Sequence, residues 1–171
     1  MCIDHIQNSV NDVITYLTNN PKDALSNDPP ITAVMEDGLR CRATDEEGET
    51  IVTDMPLAIG GGGSAPSPGW LSRAALATCD ATRIALHAAQ VGVTLDTLSV
   101  TTDSVSDDRG LLGIDKSVPA GPLSLRTRVT IGAAGVDEKT LRDIVDYAVT
   151  HSPVADSCRR ETPSTVEITI A

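Results

Sequence analysis

Sulfur is where chemistry is most available in this chain, because a thiolate is a strong nucleophile and a ready partner for oxidants. Cys2, Cys41, Cys79 and Cys158 are spread widely over 171 residues, and a chain of that length does not depend on disulfide staples, so any bridge is expected to be redox-active. Arg83 follows Cys79 at i+4, one helical turn on, where a guanidinium stabilises negative charge on sulfur; Asp80, three residues before Arg83, offsets part of that field. The ordinary reading of a cysteine in an Ala-rich helix is a small buried hydrophobe, and it stands beside the reactive one. His5, His87 and His151 make no close pair with one another or with the cysteines, so neither a metal site nor a cofactor is expected. The run Gly60 to Gly63 lacks the Lys-Ser or Lys-Thr of a phosphate cradle and is followed by prolines, which predicts a flexible connection. Asp107 and Asp108 read as solvated loop acids, and no Ser-His-Asp order stands out.

The element that must hold Cys79 is a helix from about Pro68 to Val91. Ser67 is its N-cap, Pro68 occupies the first turn where a missing N–H costs nothing, and Gly92 stops it. Leu71, Ala74, Ala75, Leu76, Ala77, Ala81, Ile84, Ala85, Leu86, Ala88 and Ala89 leave it apolar on nearly every face, which predicts burial on most sides. Its one polar stripe is Arg73, Asp80, Arg83 and His87. Upstream, residues 5 to 17 set Ile6, Val10, Val13, Ile14 and Leu17 on one helical face with Asp4 as N-cap, and PKDALSNDPP is a linker. The runs ITAVM, LRCRAT and ETIVTD, with turns at Asp37-Gly38 and Glu47-Gly48, predict a three-strand meander that should cover the central helix. Alternation over Leu95 to Val105 and Leu123 to Ile131 predicts two further strands, separated by a Gly- and Pro-bearing loop. A helix capped by Asp137 carries Leu141, Ile144, Val145 and Ala148 on one face, a short helix runs from Pro153 to Arg160, and Val166, Ile168 and Ile170 form a last strand.

Composition narrows the partners. There are 24 acidic against 13 basic residues, a net charge of -11, and no basic cluster with interleaved aromatics, so nucleic acid is an unsuitable partner. With 40% hydrophobic residues, the chain has the makings of one ordered domain with a small appendage: residues 1–30 as helix and linker, and 31–171 as the body. No run approaches the roughly 18 apolar residues needed to cross a bilayer, so no membrane partner is expected. The N-terminal MCIDHIQNSVNDV has no basic flank or apolar signal core, so a cytoplasmic protein is expected.

The run TDMPLAIGGGGSAPSPGWLSRAALATC, then LHAAQVG, a strand, SDDRGLLG, a strand and THSPV, resembles the OsmC/Ohr family of thiol peroxidases from about Ile31 onward. Its most specific part is D-x-P, a double glycine, P-S-P, and a cysteine eleven residues beyond the second proline on a buried Ala-rich helix. The resemblance implies an α+β fold in which two chains form an intertwined homodimer, with curved antiparallel sheets wrapped around long central helices. It implies reduction of an organic hydroperoxide by Cys79, a second thiol that closes a disulfide, and an external dithiol that restores the pair.

Two positions depart from the family pattern. The second cysteine ordinarily stands just before Pro-Val, and here Ser152 occupies that position; the Glu ordinarily two residues after the second proline is Trp70. The family's activating arginine has only Arg40 and Arg42 as strand candidates. Cys158, six residues after Ser152 and roughly 9 Å along a helix axis, is either a displaced resolving thiol or a core thiol, and Cys41 in the meander is a further candidate. Two functions follow: a thiol-dependent hydroperoxide reductase, or a dimer of the same fold that binds a small apolar ligand or serves a structural role.

Overall fold

The computed structural model describes residues 3–171, so Cys2 lies outside the described residues. Helix α1 spans Ile3–Asn19. It begins before Asp4, so that carboxylate sits inside the first turn, where the helix dipole favours it, and not at the cap. Ile6, Val10 and Leu17 are half-buried, Val13 and Ile14 remain exposed, and Gln7 Nε2 donates to the carbonyl of Gln90 at 3.2 Å, fastening α1 to the central helix.

Strands β1 (Thr32–Asp37), β2 (Arg40–Thr44) and β3 (Thr50–Thr53) form the predicted antiparallel meander. Gly38 and Gly48 supply the positive φ values, 53° and 93°, that its two turns require. The meander does not cover the central helix of its own chain. Every residue of β1 is exposed, and Val34, Met35 and Ile51 remain at least half accessible. The register gathers Glu36 and Arg42 on one face and sets Ala33, Met35, Cys41, Ala43 and Ile51 on the other, so the sheet has an apolar face that its own chain leaves uncovered.

The central helix α2 spans Pro68–Gln90, with Ser67 accepting a hydrogen bond from the Trp70 N–H at 3.2 Å, as its sequence signals predicted. Leu76, Asp80, Ile84 and Ala88 follow one another at i+4 and are buried, so the polar stripe turns inward to the body. Ala75, Thr78, Thr82 and Ala85 make up a face of small residues that is exposed in the single chain. Strands β4 (Thr97–Val105) and β5 (Ser124–Gly132) pair antiparallel, setting Leu98 against Ile131 and Val100 against Val129. These four side chains pack on a core of Ile84, Ala88, Ile144 and Ala148, the last two from α4 (Glu138–Thr150). Asp137 caps α4 by accepting from the Thr140 N–H at 3.0 Å.

Two further expectations change. The loop between β4 and β5 contains a helical turn, α3 (Asp108–Leu111), capped by Asp107, which also holds Arg109; Asp107 is therefore a structural acid, not merely a solvated one. Helix α5 spans Pro153–Arg159, but the last strand does not form: Val166, Ile168 and Ile170 are 86%, 79% and 87% exposed. Alternation provides a β-prone segment, yet a strand exists only where a neighbouring edge takes its N–H and C=O groups, and this segment pairs with none of the open edges of the two sheets.

Candidate functional site

Cys79 lies half-buried in the middle of α2, and the end of α4 brings the start of α5 against it. Pro153 stops α4 from continuing and opens α5, which turns Ser152 inward until it is fully buried. The Ser152 hydroxyl makes no capping bond to its own helix; it donates to Cys79 Sγ at 3.3 Å. The position assigned to a second thiol thus directly faces the first, with oxygen in place of sulfur.

Around this contact runs a polar seam between α2 and α4. Arg83 is half-buried one turn after Cys79, with its Nε buried and without a hydrogen-bond partner. Asp80 is 1% exposed, its Oδ1 is equally without a partner, and it makes no ion pair with Arg83 among the described residues, so the two share a neighbourhood without a direct contact. Farther along, the rings of His87 and Tyr147 stack with centroids 3.9 Å apart, and Tyr147 stacks on His151 at 4.1 Å. This ladder ends at the residue before Ser152. Sequence reasoning missed Tyr147, because only the relative placement of α2 and α4 brings a helix-surface tyrosine between two histidines.

The other sequence candidates lie elsewhere. Cys158 is exposed on α5, Cys41 is half-buried on β2 opposite Met35 and Thr53, and all three described cysteines are free thiols. Arg40 donates to Glu36 and, at 2.7 Å, to Ser64 Oγ, while Arg42 is bound to Glu36; these two guanidiniums, Arg42 foremost, lower the Glu36 pKa. Within one chain, then, Arg83 is the arginine beside the thiol. Trp70 is 51% exposed at the start of α2.

The D-x-P and glycine signature has a structural explanation. Asp54, 2% exposed, accepts from the N–H groups of Met55, Gly62 and Ser64 and from the Ser64 hydroxyl. Bonds from Ser64 foremost, then from Met55 and Gly62, hold its pKa down to about 2. A Cβ on Gly61 would lie 1.9 Å from the Met55 carbonyl oxygen, so only glycine permits the loop to close around the carboxylate. The glycine run is therefore a wound loop that presents Ser67 for capping, not the open connection its composition predicted. Beside it, a cleft of about 690 Å³ lies between this loop, the first turns of α2 and the β4–α3 segment, with Met55, Ile59, Leu112 and Leu125 among its apolar walls. Arg73 also lines it, with Nη1 3.5 Å from Ser104 Oγ.

Residues 61–167 match the family described as OsmC-like protein. The chain belongs to that family. Several solved structures share the fold, three of them as follows. A putative osmotic stress induced and detoxification response protein from Psychrobacter arcticus is 23% identical, with a TM-score of 0.61 over 78% of this chain and 90% of its own. An OsmC-like protein from Mycoplasma pneumoniae is 15% identical, with a TM-score of 0.66 over 79% and 89%. An organic hydroperoxide resistance protein OsmC from Legionella pneumophila is 19% identical, with a TM-score of 0.57 over 78% and 92%. No curated protein sequence matches the chain significantly. No helix among the described residues is long and apolar enough to cross a membrane.

Proposed function

We propose that this OsmC-like chain is a thiol-dependent hydroperoxide reductase with Cys79 as its nucleophile. The observation that carries the reading is the Ser152 hydroxyl on Cys79 Sγ, with an unpaired Arg83 one turn away. A half-buried sulfur with a hydrogen-bond donor and a nearby cation suits nucleophilic attack. The sulfur anion attacks the terminal oxygen of R–O–OH, the O–O bond breaks, an S–O bond forms, and the departing alkoxide takes a proton to leave as ROH. Cys79, oxidised by two electrons, becomes a sulfenic acid. Ser152 cannot condense with it, so the step that would close a disulfide is missing and turnover with ordinary dithiols is slow. Adding one equivalent of an organic hydroperoxide and counting thiols tests this. Loss of one thiol per chain, mapped to Cys79, is expected; consumption that persists in Cys79→Ser would overturn it.

The working form we infer is an intertwined homodimer, with residues 31–171 as the OsmC-like body and residues 1–30 as an added helix and linker. The exposed β1, the small-residue face of α2 and the unpaired alternating tail are surfaces that a second copy would bury. Light scattering is expected to give twice 17.9 kDa. A cytoplasmic setting suits a chain whose four cysteines are spread too widely to read as a disulfide framework. A second reading, a dimer that binds a small apolar ligand, is favoured by the cleft, whose size and apolar walls suit one.

A further inference from the structure

We propose that oxidised Cys79 is reduced by a small anionic monothiol from solution, seated beside Arg83, through a mixed disulfide; this rests on the hydroperoxide reading above. Among the described residues, no second sulfur stands against Cys79. The atom against Cys79 Sγ is the Ser152 oxygen, Cys158 is exposed on α5, and Cys41 sits in the meander. A resolving sulfur supplied from outside fits this arrangement.

The preference for an anion comes from Arg83. Its buried Nε has no acceptor, and such a donor gains most from a group that accepts with charge. It lies one turn from Cys79 on the same side of α2, about 6 Å along the axis, a gap that a two-carbon spacer between sulfur and carboxylate bridges. Asp80 opposes an anion here, but it follows the buried Leu76–Ile84 row and does not pair with Arg83. The chain's net charge of -11 opposes one too, at long range, and salt screens that term beyond about 8 Å.

The cycle balances. The monothiolate R'–S⁻ attacks Cys79–S–OH, an S–S bond forms, the S–O bond breaks, and the departing oxygen takes a proton and leaves as water, with the Ser152 hydroxyl placed to donate to it. A second R'–S⁻ attacks the outer sulfur, releasing R'–S–S–R' and the Cys79 thiolate. The net change is ROOH + 2 R'SH → ROH + R'SSR' + H₂O.

The experiment uses the full chain carrying Cys2→Ser, Cys41→Ser and Cys158→Ser, and it has two arms. In the first, one equivalent of cumene hydroperoxide is added, followed by 3-mercaptopropionate, and the protein is weighed by mass spectrometry. A Cys79 adduct with one mercaptopropionate is expected. In the second, Cys79 is first converted to its thionitrobenzoate mixed disulfide, and release is timed with 3-mercaptopropionate, 2-mercaptoethanol and cysteamine, compared per thiolate. The anionic thiol is expected to be about fivefold faster than the neutral one, the cationic thiol slowest, the order retained in Arg83→Lys and lost in Arg83→Met. Equal rates, or a preference that survives Arg83→Met, would overturn the proposal. So would a mapped disulfide from Cys79 to Cys2, Cys41 or Cys158 in the unmodified chain. Failure of the first arm with the preference intact overturns the hydroperoxide reading and upholds the anionic-thiol site.

Discussion

Two carboxylates are buried in this molecule to nearly the same degree, and they are treated in opposite ways. Asp54, 2% exposed, collects bonds from three backbone N–H groups and a hydroxyl, all from a loop wound around it. Asp80, 1% exposed, has an oxygen with no partner, beside an arginine whose Nε has none either. A buried polar group left unpaired costs free energy, whereas a fully satisfied one rigidifies its surroundings. The first arrangement is that of an anchor: it shapes the glycine loop and delivers the helix cap. The second lies next to the reactive thiol, and sites that must change partners during a reaction are where incomplete satisfaction is tolerated.

The sharpest way to separate the two regions is to remove the sulfur. Cys79→Ser is expected to abolish hydroperoxide consumption, because a hydroxyl is hardly ionised at neutral pH, while leaving the thermal midpoint within a few degrees. Activity retained in this variant would move the chemistry away from the seam. Asp54→Ala should do the reverse. It strands three N–H groups and opens the loop, so the thermal midpoint is expected to fall by many degrees, and circular dichroism on heating measures it.

Acid probes the same anchor without mutation. The Asp54 pKa is lowered in the folded chain from 3.8 to about 2, so its contribution to stability is fully present above about pH 4 and is lost as pH falls toward 2. Denaturant midpoints taken across that window should decline, and the decline should flatten in Asp54→Asn. A smaller gain is expected at the seam: Ser152→Cys places a thiol against Cys79 Sγ, and dithiol-dependent turnover should rise about tenfold if the missing thiol is what limits it. A disulfide that forms without faster turnover would show that another step limits the cycle.

Much of this was readable before any coordinates, and the reason differs from element to element. The start of α2 followed from Ser67-Pro68, the end from Gly92, and β4 and β5 from strict alternation, because each is a local rule that tertiary packing did not override. The direction of the Arg73, Asp80, Arg83 and His87 stripe was not readable, since a helix apolar nearly all round carries no signal for which side meets the body. The tail failed for a related reason: Val166, Ile168 and Ile170 declare a strand but not its neighbour. Ser152 was legible as the residue in the second-thiol position. Its bond to Cys79 depends on how α5 leaves α4, a geometry that spacing alone does not encode.

The smallest expected effect is the most demanding test of the comparison. Asp80→Leu replaces a carboxylate that has an orphaned oxygen with an apolar side chain in a row already flanked by Leu76 and Ile84. Removing a satisfied buried carboxylate leaves its donors stranded and costs about 3–5 kcal/mol, whereas removing an unsatisfied one is close to neutral or mildly stabilising. Denaturant unfolding of Asp80→Leu is therefore expected to change stability by no more than about 1 kcal/mol in either direction. The same variant removes a negative charge from the neighbourhood of Arg83, so the anionic thiol's advantage at Cys79 should widen. A loss of several kcal/mol would mean that Asp80 has a partner in solution, and a buried water is the partner that fits a carboxylate enclosed by its own chain. The contrast with Asp54 would then be one between a carboxylate satisfied by its own backbone and one satisfied through water.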